Sequence, residues 1–152
     1  MDQQTELFLK KINAKLGENP FGIKIPPPVF TLMEGVLISF DPKKQFVQIK
    51  FPVKEAFQNP YGSMQGGMIA TAIDNTIGPI SMFHKNPNVT QRLEVDYKKM
   101  ITPDLDFIYV DAWYVSEEGR SIYYEAKVHD GSGEVFTTAK AYHRMIKLTS
   151  DQ

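Results

Sequence analysis

Residues 59–83 read NPYGSMQGGMIATAIDNTIGPISMF, and the fold turns on how this stretch is read. It opens as a loop at Asn59-Pro60 and Tyr61-Gly62-Ser63, then passes through Gly66-Gly67 into a helical pattern. Met68, Ile69, Ala72, Ile73, Thr76, Ile77 and Ile80 recur at the spacing of one helix face. From Gln65 to Phe83 the only ionisable side chain is Asp74. A helix apolar nearly all round is normally buried. The stretch therefore predicts a central helix with a glycine-rich entrance and a carboxylate among apolar neighbours.

Such an entrance has chemical content. The first N–H groups of a helix lack partners within it, and the helix dipole makes that end electropositive. Glycines there let a ligand approach the backbone, so the end suits a carbonyl oxygen that is becoming an oxyanion. A carboxylate in apolar surroundings has its pKa raised and can serve as a base. The residues also fit a plainer reading. A Gly-Gly pair often only makes a tight turn, Asn before Pro is a common turn residue, and a lone Asp on a helix is usually solvated or capping.

The 152 residues fit one domain, and a hydrophobic fraction of 42% is enough for a core. A net charge of −1 argues against a nucleic-acid surface. The absence of cysteine excludes a disulfide scaffold, a thiolate nucleophile and Cys-based metal sites. No apolar run is as long as a membrane span, and residues 1–17 lack the apolar core of a signal peptide. A cytoplasmic, soluble protein is expected.

Residues 3–16 predict an amphipathic helix stopped by Gly17. Asn19-Pro20-Phe21-Gly22 and Pro26-Pro27-Pro28 then make a stiff extended connector. Residues 1–29 are thus an appendage expected to pack on a main domain, residues 30–152. Period-two patterns predict strands over 33–40 and 45–53, before the central helix. They predict four more over 90–100, 106–116, 121–129 and 134–148, after a polar loop at His84-Lys85-Asn86-Pro87-Asn88. Strands joined by short turns, Thr102-Pro103-Asp104 among them, are expected to pair antiparallel. The architecture is α+β: about six curved antiparallel strands around one long helix, with an extra N-terminal helix. One sheet and one helix leave apolar surface and an edge strand, which a symmetric dimer would cover.

The layout and the central stretch resemble the hotdog-fold acyl-CoA thioesterases, in particular the phenylacetate-type branch. The resemblance covers about residues 30–148. That branch carries an Asn, then a His-Gly-Gly, then an acid near the middle of the helix. Asn59, Gly66, Gly67 and Asp74 stand at matching spacing. The departure is Gln65, where the family usually has His; Gln forms hydrogen bonds but carries no proton at neutral pH.

The resemblance implies hydrolysis of a fatty or aromatic acyl-CoA to acid and CoA, without a cofactor, in a homodimer or a dimer-of-dimers tetramer. The Gly66 N–H, with Gln65, would polarise the thioester carbonyl. Asp74 of the other protomer would be base or nucleophile. Asn59 would hold the lytic water or the carboxylate, and Thr90, early in the strand after the helix, would bind water. Gly67, Met68 and Arg120 are the further substrate-binding candidates, with Lys98, Lys99 and Arg144 as other cations for the CoA phosphates, and Met68, Ile69 and Met82 as candidates to line an acyl pocket. The alternative is a hotdog protein that binds acyl-CoA or a fatty acyl group without hydrolysing it. A hydratase of the same fold is disfavoured by Gln65. The dispersed histidines, His84, His129 and His143, lack metal-ligand spacing, so no metal is expected. No serine-hydrolase elbow is present.

Overall fold

The computed structural model describes residues 3–18 and 21–148. Asn19 and Pro20 of the expected connector lie outside the described residues, as do residues 149–152 of the expected main domain. The elements in chain order are α1 (Gln3–Leu16), α2 (Pro28–Leu32), β1 (Val36–Asp41), β2 (Phe46–Pro52), α3 (Gly66–Phe83), β3 (Asn88–Tyr97), β4 (Phe107–Glu118), β5 (Ser121–His129) and β6 (Val135–Met145). All strand pairs are antiparallel in one six-stranded sheet, ordered β1-β2-β4-β5-β6-β3.

The core lies between α3 and one sheet face. β2 and β5 alternate buried and half-buried residues along their whole length, the signature of a sheet with one face covered. Val47, Ile49 and Phe51 of β2 and Ile122, Ala126 and Val128 of β5 point inward. They meet Ile69, Ala72, Ile73, Ile77 and Ile80 of α3, spaced three and four apart on a single face. Thr76, buried in the same stripe, satisfies its hydroxyl internally by donating to the Ala72 carbonyl at 2.8 Å. Pro79 lies inside α3 and removes a backbone donor. The helix nevertheless continues to Phe83, its apolar face held against the sheet.

α1 packs on β1 and α3. Phe8 meets Phe40 and Phe83 at ring-centroid distances of 5.0 and 6.0 Å, and Phe40 meets Phe83 at 4.7 Å.

Two expectations are corrected. The strand expected from residue 33 starts at Val36, because Pro28–Leu32 forms a short helix. Pro27 is extended and Pro28 occupies the first turn, where its missing N–H is harmless. The turn at Thr102-Pro103-Asp104 does not join a paired hairpin. β3 instead lies beside β6, with Val95 opposite Ala139, and forms a sheet edge. Short-range sequence pattern cannot anticipate that choice of neighbour.

Ile77 has no exposed surface. Ile77→Ala is expected to cost about 2–5 kcal/mol through lost burial and the cavity it leaves, read as a lowered urea midpoint with an unchanged m-value.

Candidate active site

The start of α3 is built to leave donors unpaired. Gln65 is the N-cap residue, and its side chain makes no capping bond. Its carbonyl accepts from the N–H groups of Met68 and Ile69 at 2.9 and 3.1 Å, while its own N–H donates to the Phe57 carbonyl. Among the described residues, the N–H groups of Gly66 and Gly67 have no acceptor. The two glycines differ in their surroundings. A Cβ at Gly66 would lie 3.1 Å from the Tyr97 ring, whereas one at Gly67 would meet nothing within 4 Å. Tyr97 donates its hydroxyl to the Gly66 carbonyl at 2.6 Å and fixes this corner. Partial desolvation raises the Tyr97 pKa.

A cavity of about 280 Å³ opens here, lined by Asn59, Ser63, Gly66, Tyr97, Lys98 and Lys99 among others. Asn59 braces the loop before α3. Its Oδ1 accepts from the Tyr61 and Ser63 N–H groups at 2.9 and 3.2 Å, and its Nδ2 donates to Ser63 Oγ at 2.9 Å. The turn role read for Asn59 is thus present, at the wall of the cavity.

Asp74 stands elsewhere. It follows Gly66 by eight residues, about 12 Å along a helix, and lines other cavities. A single chain does not bring Asp74 and the Gly66 N–H to one reacting carbonyl. Nor is Asp74 enclosed by apolar neighbours as expected: it is exposed on this chain. The reason is its position on the helix. The buried stripe passes through Ile73 and Ile77, which turns position 74 toward the edge strand β3.

There Thr90 donates its hydroxyl to Asp74 Oδ1 at 2.7 Å. Thr90 Oγ1 also lies 3.2 Å from Nε2 of His143, whose Nδ1 is 2.8 Å from Asn88 Oδ1. Asn88 spends its amide donor on the carbonyls of Ser81 and Asn86, which assigns its Oδ1 as the acceptor. His143 Nδ1 must then carry the proton of the neutral ring, by the logic of the network. Nε2 is left as an acceptor. The single Thr90 proton serves either Asp74 or His143, so the row has room for one further proton.

His143, Asn88 and Tyr97 were not among the residues singled out for the site. His143 and Tyr97 are ordinary members of strand patterns, and Asn88 falls in the polar loop expected after the helix. The β3–β6 pairing reveals the roles of His143 and Asn88, and the approach of β3 to the start of α3 that of Tyr97. Arg120 is not brought to the glycines. Its guanidinium donates to the Met145 carbonyl at 2.9 Å, at the other end of the sheet, while Lys98 and Lys99 line the cavity at Gly66. Met68 is half-buried and Ile69 is buried. Among the described residues no group of His, Asp and Glu is arranged to hold a metal, and no helix is long and apolar enough to cross a membrane.

A sequence model described as the thioesterase superfamily matches residues 61–137. The chain belongs to this superfamily. The matched span runs from the loop before α3 into β6, across the glycine pair, Asp74 and Thr90. No curated protein matches this thioesterase-superfamily chain in sequence. Solved structures do match in fold. The PaaI protein from the phenylacetic acid degradation operon of Escherichia coli has a TM-score of 0.75 at 11% identity, covering 97% of this chain and 99% of its own. A phenylacetic acid degradation-related protein from Ralstonia eutropha JMP134 has a TM-score of 0.72 at 18% identity, covering 84% and 96%. A Streptococcus mutans UA159 protein bound to acetyl CoA has a TM-score of 0.68 at 20% identity, covering 82% and 94%. The α+β fold with its six-stranded antiparallel sheet is the hotdog fold.

The buried ring of His143 yields a pH prediction. It is 3% exposed, and desolvation lowers its pKa to about 4, partly opposed by the Asp74 charge. A folded-state pKa below the unfolded value means that the unfolded chain binds the extra proton first. This contribution is complete above about pH 6.5 and is lost as pH falls toward 4, by roughly 3 kcal/mol at most. Urea midpoints measured across that window should fall in the wild type and fall measurably less in His143→Gln.

Proposed function

We propose that this chain is an acyl-CoA thioesterase that works as a two-fold dimer, each site combining the α3 entrance of one copy with Asp74 of the other. The observation that carries the reading is the pair of unpartnered N–H groups at Gly66 and Gly67. They form a donor site for a carbonyl oxygen gaining negative charge, on a chain of a thioester-cleaving superfamily. The 12 Å or so between Gly66 and Asp74 on one helix argues for the second copy, and the partly uncovered face of α3 gives that copy a place to pack. A solved neighbour bound to acetyl CoA supports CoA as the leaving group. Lys98 and Lys99 stand at the same cavity as Gly66 to meet its phosphates.

In this mechanism the thioester carbonyl accepts from the Gly66 and Gly67 N–H groups while Asp74 of the second copy draws a proton from water. The water oxygen bonds to the carbonyl carbon; the C–S bond then breaks, and the leaving sulfur takes the proton back from Asp74, releasing CoA thiol and the acid. Attack by the Asp74 carboxylate itself, followed by hydrolysis of the anhydride, uses the same geometry. As a base, Asp74 has a prepared acceptor for its charge change. Once protonated it donates to Thr90, and the Thr90 proton turns to His143 Nε2, so every member of the row is satisfied. Asn59 holds the entrance loop, and Gln65 lies beside it with its amide unused for capping.

Binding without hydrolysis is the second reading. It is favoured by Gln65, which cannot supply the proton that a histidine would. Thiol release from a panel of aliphatic and aromatic acyl-CoAs separates the two. Hydrolysis is expected, with kcat lowered about a hundredfold or more in Asp74→Ala while circular dichroism and assembly state are unchanged. Equal turnover in that variant would exclude Asp74 as the base. Saturable binding with no thiol release from any member of the panel would leave the binding protein.

A further inference from the structure

The N-terminal segment does not lie flush on α3. Its anchor is the Phe8–Phe40–Phe83 cluster at one side. Beside it, a groove of about 270 Å³ is left open between this segment and the helix. Leu9, Ile12, Ile25 and Phe30 form the outer wall, Gly78 and Met82 belong to the helix side, and Asp74 stands at one end. Through Ile12, Ile23, Ser81 and Met82 the groove runs on into a second cavity of about 410 Å³ that reaches Leu16 and His84.

Apart from Lys24 on the N-terminal wall, its charged and amide side chains sit at the ends. Asp74 and Asn75 mark the first, where Asn75 Nδ2 is buried without a partner among the described residues. Lys15 marks the other, its ammonium donating to the His84 carbonyl at 2.7 Å. Between them, Ser81 Oγ is already used in a bond to the Gly78 carbonyl at 2.7 Å. A ligand lying along this path meets mostly hydrocarbon, from Leu9, Ile12, Ile25, Phe30 and Met82.

Gly78 sharpens the point. Glycine is unfavourable inside a helix, and Gly78 is not among the glycines with positive φ. A Cβ there would meet nothing within 4 Å. Neither the backbone nor the packing requires glycine at this position, and its missing side chain keeps the groove open.

We infer that this groove is the channel for the acyl chain of the substrate, and that it takes an unbranched aliphatic chain of about ten to twelve carbons, matching the roughly 15 Å of helix from Asp74 to His84. The inference rests on the thioester reading given above and names its substrate class. The chain enters beside Asp74, runs under α1 and the Ile23–Phe30 segment, and stops at Lys15. A compact aromatic acyl group would fill only the first part.

Two measurements test it. The first is kcat/KM for butyryl- to hexadecanoyl-CoA in the wild type, Gly78→Leu and Gly78→Phe. The wild type should favour chains near dodecanoyl. The dodecanoyl-to-butyryl ratio should drop about tenfold or more in Gly78→Phe, since each methylene expelled costs about fourfold, and by less in Gly78→Leu. Met82→Trp on the same wall serves if Gly78→Phe does not fold. The second is calorimetric binding of S-butyl- and S-dodecyl-CoA thioethers, which requires no turnover.

Tighter binding of the dodecyl compound, erased in Gly78→Phe, supports the channel even if no thioester is cleaved, in which case the hydrolase reading alone fails. A chain-length profile unchanged by both groove-filling variants overturns the channel and leaves the hydrolase reading intact. So does a wild type that binds the butyl and dodecyl compounds equally.

Discussion

The contact between the isoleucine face of α3 and the sheet is the constraint from which the other features follow. Ile73 and Ile77 are fully buried and Ile69 and Ile80 nearly so. Covering them takes β2, β3, β4 and β5, all of which touch the helix. Once that face is committed to the sheet, the rotation of α3 is fixed. Position 74 must then point away from the core, and the glycine pair at the helix start must open beside the loop that follows β2. Hydrophobic burial thus fixes where the helix start and position 74 stand.

The polar contacts then refine what burial has placed. Asp74 would be free to rotate on an exposed helix face, but Thr90 from the edge strand holds it. Thr90 is held in turn by a histidine two strands' pairing away in sequence but adjacent in the sheet. Burying an imidazole has a cost, visible in its lowered pKa. That cost is tolerable because both ring nitrogens face polar groups. At the other end of the helix start, Tyr97 does the equivalent work for Gly66 by a direct bond to its carbonyl. Both supports come from β3, so the edge strand braces the candidate site as well as bounding the sheet.

The N-terminal segment has a different relation to the core. It lies outside the span matched to the superfamily, yet α1 shares its aromatic cluster with β1 and the end of α3. Its contribution is to turn an open helix flank into a lined groove. The span matched to the superfamily and the segment that lines the groove are therefore separable in sequence.

Sequence alone determined the elements that depend on local pattern. The three-and-four spacing of isoleucines located the central helix, period-two alternation located the strands, and the glycine pair marked the helix start whose N–H groups are left unpartnered. These signals are legible because helix and strand impose their own periods on which residues face the core. Only the tertiary structure decided which strand lies next to which, and so that β3 pairs with β6 and brings Thr90 to His143. It also decided that one chain holds its donor site and its carboxylate apart, and that Gly78 faces open space. Each of these depends on contacts between residues distant in the chain, where periodicity carries no information and packing chooses the neighbour.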